Sequence, residues 1–351
     1  MVPLAYRFGL AARYSAVAML IPRLAAITVI FAAVDAGAQA SPYVPLDDIA
    51  YRYVDAVMAR GEFRQLSALE RPYTVGALLA AIDTARVKAA SARVIDYLNA
   101  LETVVGKYSV RPRSRVRQKA KPDSLDVSAY WQGQQDSDTS TAFPFRARGT
   151  VNLYATMQTS SRRELMLAAD AGSISPAATI RLVMAGGPIA ASIRPIIDTR
   201  LNEDIEFFGR RDRQLAGRTE DGYLSGQWKY AELFLGRVGR NWGPPTLTGL
   251  QLGNYAFTYD QLYGRIGTDK LHLATVVARL DDFQDAGGAR AQRYFSVHRL
   301  AVRHASWEIA ATESYLYSGS GRGFEPSLVN PLNIYSLSWR NEAQDGNLGL
   351  G

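Results

Sequence analysis

Residues 147–158 read Ala147-Arg148-Gly149-Thr150-Val151-Asn152-Leu153-Tyr154-Ala155-Thr156-Met157-Gln158. Small and apolar side chains at odd positions alternate with polar or amphipathic ones at even positions. That period of two gives an extended strand one dry face and one wet face. Residues 125–132 repeat it, with Leu125, Val127, Ala129 and Trp131 against Asp126, Ser128, Tyr130 and Gln132. The same texture returns at 164–170, 179–185, 193–201, 223–237, 271–280, 295–303, 307–317 and 334–339, and residues 347–351 read as a strand just beginning. Segments of about 10 residues, parted by Gly, Pro, Asp and Ser clusters, have the length a tilted strand needs to cross a bilayer. The fold class predicted is mainly β: an antiparallel transmembrane β-barrel, incomplete in this chain, preceded by a small α-helical bundle.

A soluble β-sandwich also alternates, but its two-layer core calls for continuous apolar runs. Here the wet face carries charges in mid-strand, at Lys229, Glu232, Arg299, Arg303 and Glu313. A hydrated lumen tolerates those groups and a dry core does not. Nineteen tyrosines, many near strand ends (Tyr223, Tyr259, Tyr263, Tyr294, Tyr315, Tyr317), suit aromatic girdles at the two headgroup levels.

Upstream, an unbroken apolar core at 24–34 follows Arg7, Arg13 and Arg23 and precedes Ala38-Gln39-Ala40. This is the grammar of a secretory signal cleaved between Ala40 and Ser41, and its core is too short for a spanning helix. A start at Met19 would give a charged region of ordinary length. The formal charge is +7, and losing three arginines and one aspartate with residues 1–40 leaves +5. Much of the excess lies at Lys107, Arg111, Arg113, Arg115, Arg117, Lys119 and Lys121, read as a linker near anionic lipid rather than a nucleic-acid arm. Cysteine is absent, which excludes disulfides and thiolate chemistry. The resulting organisation is a signal at 1–40, a periplasmic helical head at 41–108, a basic linker at 109–123 and an outer-membrane barrel at 124–351, cut short at its C-terminal end.

Within the head, Asp47 or Asp48 can cap a helix carrying Ile49, Tyr53, Val57 and Met58 and closed by Gly61. A second helix follows Pro72, with Thr74 as cap and Ala77, Leu78, Ala81, Ile82 and Ala85 on one side. A third starts near Ser91, with Val94, Ile95, Leu98, Leu101, Val104 and Val105 as its stripe. Three short helices are too little core to stand alone, so the head should pack on something larger.

The stretch 234–245, Phe-Leu-Gly-Arg-Val-Gly-Arg-Asn-Trp-Gly-Pro-Pro, resembles the signature of the capsule assembly Wzi family. The matching residues are Gly236, Arg237, Arg240, Trp242, Gly243 and Pro244, followed by Leu247, Leu250, Asn254 and Ala256. Ser41-Pro42-Tyr43-Val44-Pro45-Leu46 with Arg71-Pro72-Tyr73-Thr74 is similar to that family's periplasmic head. Phe324-Glu325-Pro326 with Asn330-Pro331-Leu332 is similar to its later loop. Pro245 departs from the pattern by replacing a glycine. The family's barrels have about eighteen strands, whereas ten to twelve can be placed here, so the resemblance implies a fragment of a longer barrel.

The resemblance implies an outer-membrane protein, its head in the periplasm, that binds surface polysaccharide and assists capsule or exopolysaccharide attachment. Its partners would be outer-membrane lipid, the polysaccharide and the polysaccharide export machinery, with no nucleic acid and no cofactor. Sugar recognition pairs aromatic faces with hydrogen-bonding side chains. The binding candidates are Arg240, Asn241, Trp242, Asn254 and Tyr255, and in the later loop Glu325, Asn330 and Asn333. Gly236, Arg237, Gly243, Pro244 and Pro331 are read as structural.

Nothing marks an enzyme. His272, His298 and His304 have no metal-ligand spacing. The acids Glu203, Asp204, Glu206, Glu220, Asp221, Asp281 and Asp282 are the places where a glycosidase pair could arise. No G-x-S-x-G elbow accompanies Ser318 to Gly321. Two alternatives stay open: a porin-like transport barrel with Arg299, Arg303, Lys229 and Glu313 facing its lumen, and an outer-membrane hydrolase or acyltransferase.

Overall fold

A computed structural model describes residues 39–88, 91–110, 127–132, 145–157, 174–202, 207, 209, 212, 216–245, 247–253, 258–284, 288, 290–304, 307–337 and 346–351. The proposed signal core, the basic stretch beyond residue 110, the strand expected at 164–170, and Glu203, Asp204, Glu206, Asn254 and Tyr255 lie outside these residues.

Three helices open the described chain: α1 (Ala50–Met58), α2 (Val75–Lys88) and α3 (Ala92–Gly106). The caps are those the sequence calls for. Asp48 Oδ1 accepts from the Ala50 N–H at 2.8 Å, Thr74 Oγ1 accepts from Ala77 at 3.2 Å, and Gly61 takes φ +84° just after α1. Val54, Val57, Leu78, Ile82, Leu98, Leu101 and Val105 are fully buried together between the helices, while Ile49 and Ile95 of the predicted stripes are exposed. No described helix is long and apolar enough to cross a membrane.

The rest is one eleven-stranded antiparallel sheet in which every strand pairs with its neighbours in sequence. The strands are β1 (Val127–Gln132), β2 (Arg146–Met157), β3 (Ile174–Gly186), β4 (Ile189–Asp198), β5 (Ala216–Gln227), β6 (Ala231–Arg237), β7 (Asp260–Gly267), β8 (Leu271–Gln284), β9 (Arg290–His304), β10 (Trp307–Ser320) and β11 (Gly346–Leu350). Among the described residues β1 and β11 do not pair, so the sheet is open.

Three expectations change. The run 223–237 is two strands, because Trp228, Lys229 and Tyr230 turn the chain between β5 and β6. Strand β7 went unpredicted, its alternation of Leu262 and Ile266 being interrupted by Gly264. Residues 335–337, expected to begin a strand, form a helical turn.

Connections divide by length. At one end of the strands two or three residues join β3 to β4, β5 to β6, β7 to β8 and β9 to β10, and only the β1–β2 connection there, 133–145, is long.

The two faces of the sheet meet different surroundings. Directly paired residues point to the same side, so the register can be followed across strands. Val151 pairs with Ile180, Leu182 with Ile193, and Leu224 with Leu235, which pairs with Leu262; Leu271 pairs with Val302, which pairs with Ile309. Leu262 is half-buried and the rest are exposed, Leu235 at 63% and Ile309 at 66%. One face thus presents a continuous apolar band, far beyond the scattered leucines of an ordinary surface.

The opposite face holds the helical head. Tyr43 packs edge-on to Tyr223 (5.6 Å) and Phe234 (5.9 Å), and its N–H donates to Tyr223 Oη at 2.7 Å. Arg194 reaches Asp47 at 2.9 Å and Asp221 at 2.6 Å. The Arg148 guanidinium donates to Gly106 O at 2.6 Å, and Arg181 lies 4.3 Å over the Tyr108 ring. Ser67 donates to Glu308 at 2.6 Å, and Glu70 bonds His272 at 2.7 Å. The head is thus docked largely by charged groups of the wet face, though not by all those the sequence singled out: Lys229, expected in mid-strand, lies in the β5–β6 turn. Glu313 is an exception and a correction: it shares the apolar side with Ile309 and Tyr315, not the head side with Arg299. Crossing the short β9–β10 turn switches the parity, so odd residues face the head in β9 and even ones in β10.

Candidate functional site

The glycine-arginine stretch after β6 does not extend into solvent at the loop end. It turns back onto the head-side face. Gly236 has φ +131°, and a Cβ there would lie 2.2 Å from Gly222 O and 2.6 Å from Tyr223 Cα, so only glycine fits beneath Tyr223. Asn241 then forms an antiparallel bridge with Arg71 of the head (N–H to O, 2.9 and 3.1 Å), and its side chain clamps the turn by donating to Leu247 O and accepting from Gly249 N–H, both at 2.8 Å. Gly243 is held so close to Gly249 that a Cβ would meet its Cα at 2.5 Å. Gln251 is hydrogen-bonded to Ser314 of β10.

Arg240, Asn241 and Trp242 are consequently buried, at 5, 7 and 5% exposure. Arg240 lies over Tyr263 at 3.8 Å and beside Phe234 at 4.7 Å, with Nε donating to Gln261 Oε1 at 2.8 Å. This is a cation in an aromatic box. Burial drives its pKa down, partly offset by the Tyr263 phenol and the Glu232 and Glu70 carboxylates. Beneath it a cavity of about 260 Å³ opens between head and sheet, and above it a pocket of about 210 Å³ is lined by Gln251, Tyr259, Leu280 and Phe295. Arg237, by contrast, stands on the apolar side, paired with Asp260 at 2.9 Å.

Arg237 belongs to a large cleft, about 500 Å³ at the long-loop end, which the sequence signalled only through scattered acids. Guanidinium–carboxylate pairs line it: Arg218 with Glu220, Arg237 with Asp260, and Asp282 between Arg279 (3.4 Å) and Arg290 (2.7 Å), with Tyr259 and Phe207 beside them. Such pairs fix planar donors and acceptors in a shape suited to hydroxyl groups. The neighbours Glu220 and Asp221 part ways, since Asp221 turns to Arg194 on the head side.

The later loop lies elsewhere, against the apolar side of β9 and β10. Glu325 pairs with Arg322 at 2.8 Å, Asn330 accepts from the Leu332 N–H at 3.1 Å, and Asn333 donates to Ser327 O at 3.0 Å. These side chains shape their own loop and are not brought together with Arg240 or with the large cleft. Pro331 sits in the turn between Asn330 and Asn333. The loop also seals Ser296, His298, Glu313 and Tyr335: Tyr335 Oη lies 2.6 Å from Ser296 Oγ and 2.7 Å from His298 Nε2, and Glu313 accepts from the Tyr335 N–H at 3.0 Å. A serine, an imidazole and a carboxylate meet here, but Ser296 and Tyr335 are buried to 1% or less, without access for a substrate. Among the described residues no cluster of three His, Asp or Glu groups could hold a metal ion.

Ala40, on the near side of the expected cleavage point, is buried and donates to Gly187 O at 2.8 Å; Ser41 exchanges hydrogen bonds with Gln227, both at 2.9 Å. Comparison with known proteins gave no match to any family model, any curated protein or any solved structure.

Proposed function

We propose that this chain is an outer-membrane β-barrel protein that binds surface polysaccharide without catalysis and assists its attachment or assembly at the cell surface. The observation that carries the reading is the division of one sheet between two environments. Exposed Leu224, Leu235, Ile266, Leu300 and Ile309 line one face, while the other is covered by a polar-docked helical head. Seven of the eleven described strands have 10 to 15 residues, and four of the five connections at one end are turns of two or three residues, which favours the same placement. The head, at the short-turn end, would then lie on the periplasmic side.

Binding rather than transport is favoured because the head-side face is occupied twice, by the head and by residues 238–253. The large cleft, with its guanidinium–carboxylate pairs and Tyr259, is the proposed contact for glycan at the outer surface. The likeness of 234–245 to the capsule assembly Wzi family points the same way.

The test is a cell-surface assay joined to a bilayer recording. Cells lacking the gene should shed polysaccharide into the medium, regain it on complementation, and stay defective with Arg237→Ala/Asp260→Ala, while purified protein gives no channels in planar bilayers. Stable ohmic channels, or full glycan retention without the gene, would reject the proposal.

A further inference from the structure

The cavity of about 260 Å³ between the head and the sheet, at the short-turn end, is lined by residues whose buried polar atoms lack a hydrogen-bond partner among the described residues, among them Nη2 of Arg240 and Oε1 of Glu232 on the sheet side and Nε of Arg71 and Oη of Tyr43 on the head side. Arg240 cannot turn away to find a partner. Its plane is pinned over Tyr263, and its Nε is committed to Gln261. Glu232 lies on the head-side face of β6 two residues from Phe234, between Gln227 and Arg265 of the neighbouring strands. Leaving a buried polar group unsatisfied costs stability. A donor and an acceptor left open in one small cavity select for a ligand that can do both.

Three other charges around the cavity are already paired, while Arg303 lies at its edge. Glu70 is bonded to His272 at 2.7 Å, Arg71 to Asp55, and Arg265 to Asp269 at 3.0 Å. Arg240 and Glu232 face the cavity as one cation and one carboxyl, a pair that a neutral partner can serve. A hydroxyl donates and accepts at once, and two adjacent hydroxyls can serve both groups. The Trp228 indole and the Tyr73 ring add aromatic wall, to which the C–H face of a sugar ring is suited.

We propose that this cavity is a saccharide site for a single neutral sugar ring, held by a vicinal diol that accepts from Arg240 Nη2 and donates to Glu232 Oε1. It lies at the opposite end of the strands from the large cleft and does not depend on the reading of that cleft. Placed on the head side, it would engage a glycan terminus presented from the periplasm.

Equilibrium dialysis of the full chain in lauryl dimethylamine oxide, a detergent without sugar, tests it with radiolabelled glucose, galactose, mannose and glucuronate; the last is included because Arg303 also lines the cavity. At least one neutral hexose should bind saturably to one site and lose affinity at least tenfold in Glu232→Leu. Glu232→Gln preserves size and should lose about threefold, which keeps the test open should Glu232→Leu fail to fold by heat-modifiable gel mobility. Binding of glucuronate alone, equal hexose binding in wild type and Glu232→Gln, or no hexose binding to 100-fold excess would each overturn the proposal. None of these results bears on glycan retention by cells, which reads the large cleft separately.

Discussion

Removing the charge of Glu70 should loosen the head from the sheet by a predictable amount. The carboxylate is 15% exposed and hydrogen-bonded to His272 at 2.7 Å. Burial alone would raise its pKa, but the hydrogen bond and charge of His272, with Arg265 and Arg299 behind, hold it at about 2 against an ordinary 4.5. A carboxyl lowered that far stabilises the folded chain at neutral pH by on the order of 3 kcal/mol. Because the folded pKa lies below the unfolded one, this contribution is complete above about pH 4.5 and disappears as pH falls through about 2. Glu70→Gln retains an acceptor and the shape but not the charge.

Urea titration in detergent micelles at pH 7, 4.5, 3 and 2 measures both effects. The variant should be less stable than wild type by about 3 kcal/mol at pH 7, and the gap should close toward pH 2. Combining Glu70→Gln with His272→Gln should cost little more than either change alone, since the two residues share one interaction. An unchanged midpoint at pH 7, or an acid slope that survives Glu70→Gln intact, would refute the reasoning.

Leu235→Arg places a charge on the exposed apolar band and should disfavour insertion by about 2–4 kcal/mol, read as reduced folding yield into phosphatidylcholine vesicles; Lys107→Ala, off the sheet, should leave the yield unchanged. Gly236→Ala puts a Cβ 2.2 Å from Gly222 O at φ +131°, and a loss of about 1–3 kcal/mol is expected in the same urea titration. Tyr335→Phe removes the hydroxyl shared by Ser296, His298 and Leu328 O, and should expose residues 321–337 to limited trypsin cleavage at Arg322 with a loss of about 1–3 kcal/mol. Continued resistance at Arg322 would mean that apolar packing of Leu328 alone holds the loop.

The parts of the fold legible in the sequence were those governed by one strand or helix at a time. Alternation around Val151 and Leu153 picked out the face that is exposed, and Asp48, Thr74 and Gly61 marked helix ends because capping is local chemistry. What failed depended on register between elements. Glu313 shares the charge and strand setting of Arg299, yet the β9–β10 turn sends it to the other side. A bulge between Arg194 and Pro195, opposite Thr219 and Asp221, separates Glu220 from its neighbour in a way no single-strand period records. The candidate site was half legible: Arg240, Asn241 and Trp242 were singled out, but their burial follows from a bridge to Arg71, 170 positions earlier in the chain. The large cleft gathers Arg218, Arg237, Asp260 and Asp282 from four strands, and no local pattern joins them.

The double occupancy of the head-side face also changes what a head deletion can reveal. If the head alone blocked a transport path, removing residues 41–108 would open one. Residues 238–253, however, keep their own attachments: Gln251 to Ser314, Asn241 to Leu247 and Gly249, Trp242 N–H to Leu252 O at 2.8 Å, and Arg240 to Gln261 and the Tyr263 ring. Among the described residues the Arg71 bridge, the Tyr43 contact and the packing of Leu46 by Gly239 would go. The segment should therefore stay seated, and a head-deleted protein that inserts should remain silent in planar bilayers. Conductance should appear only when the segment is released as well, for example by Gln261→Ala, which strips Arg240 of its one side-chain acceptor. Channels in the head deletion alone would show that residues 238–253 do not fill the interior, and with that the case for binding over transport would fail.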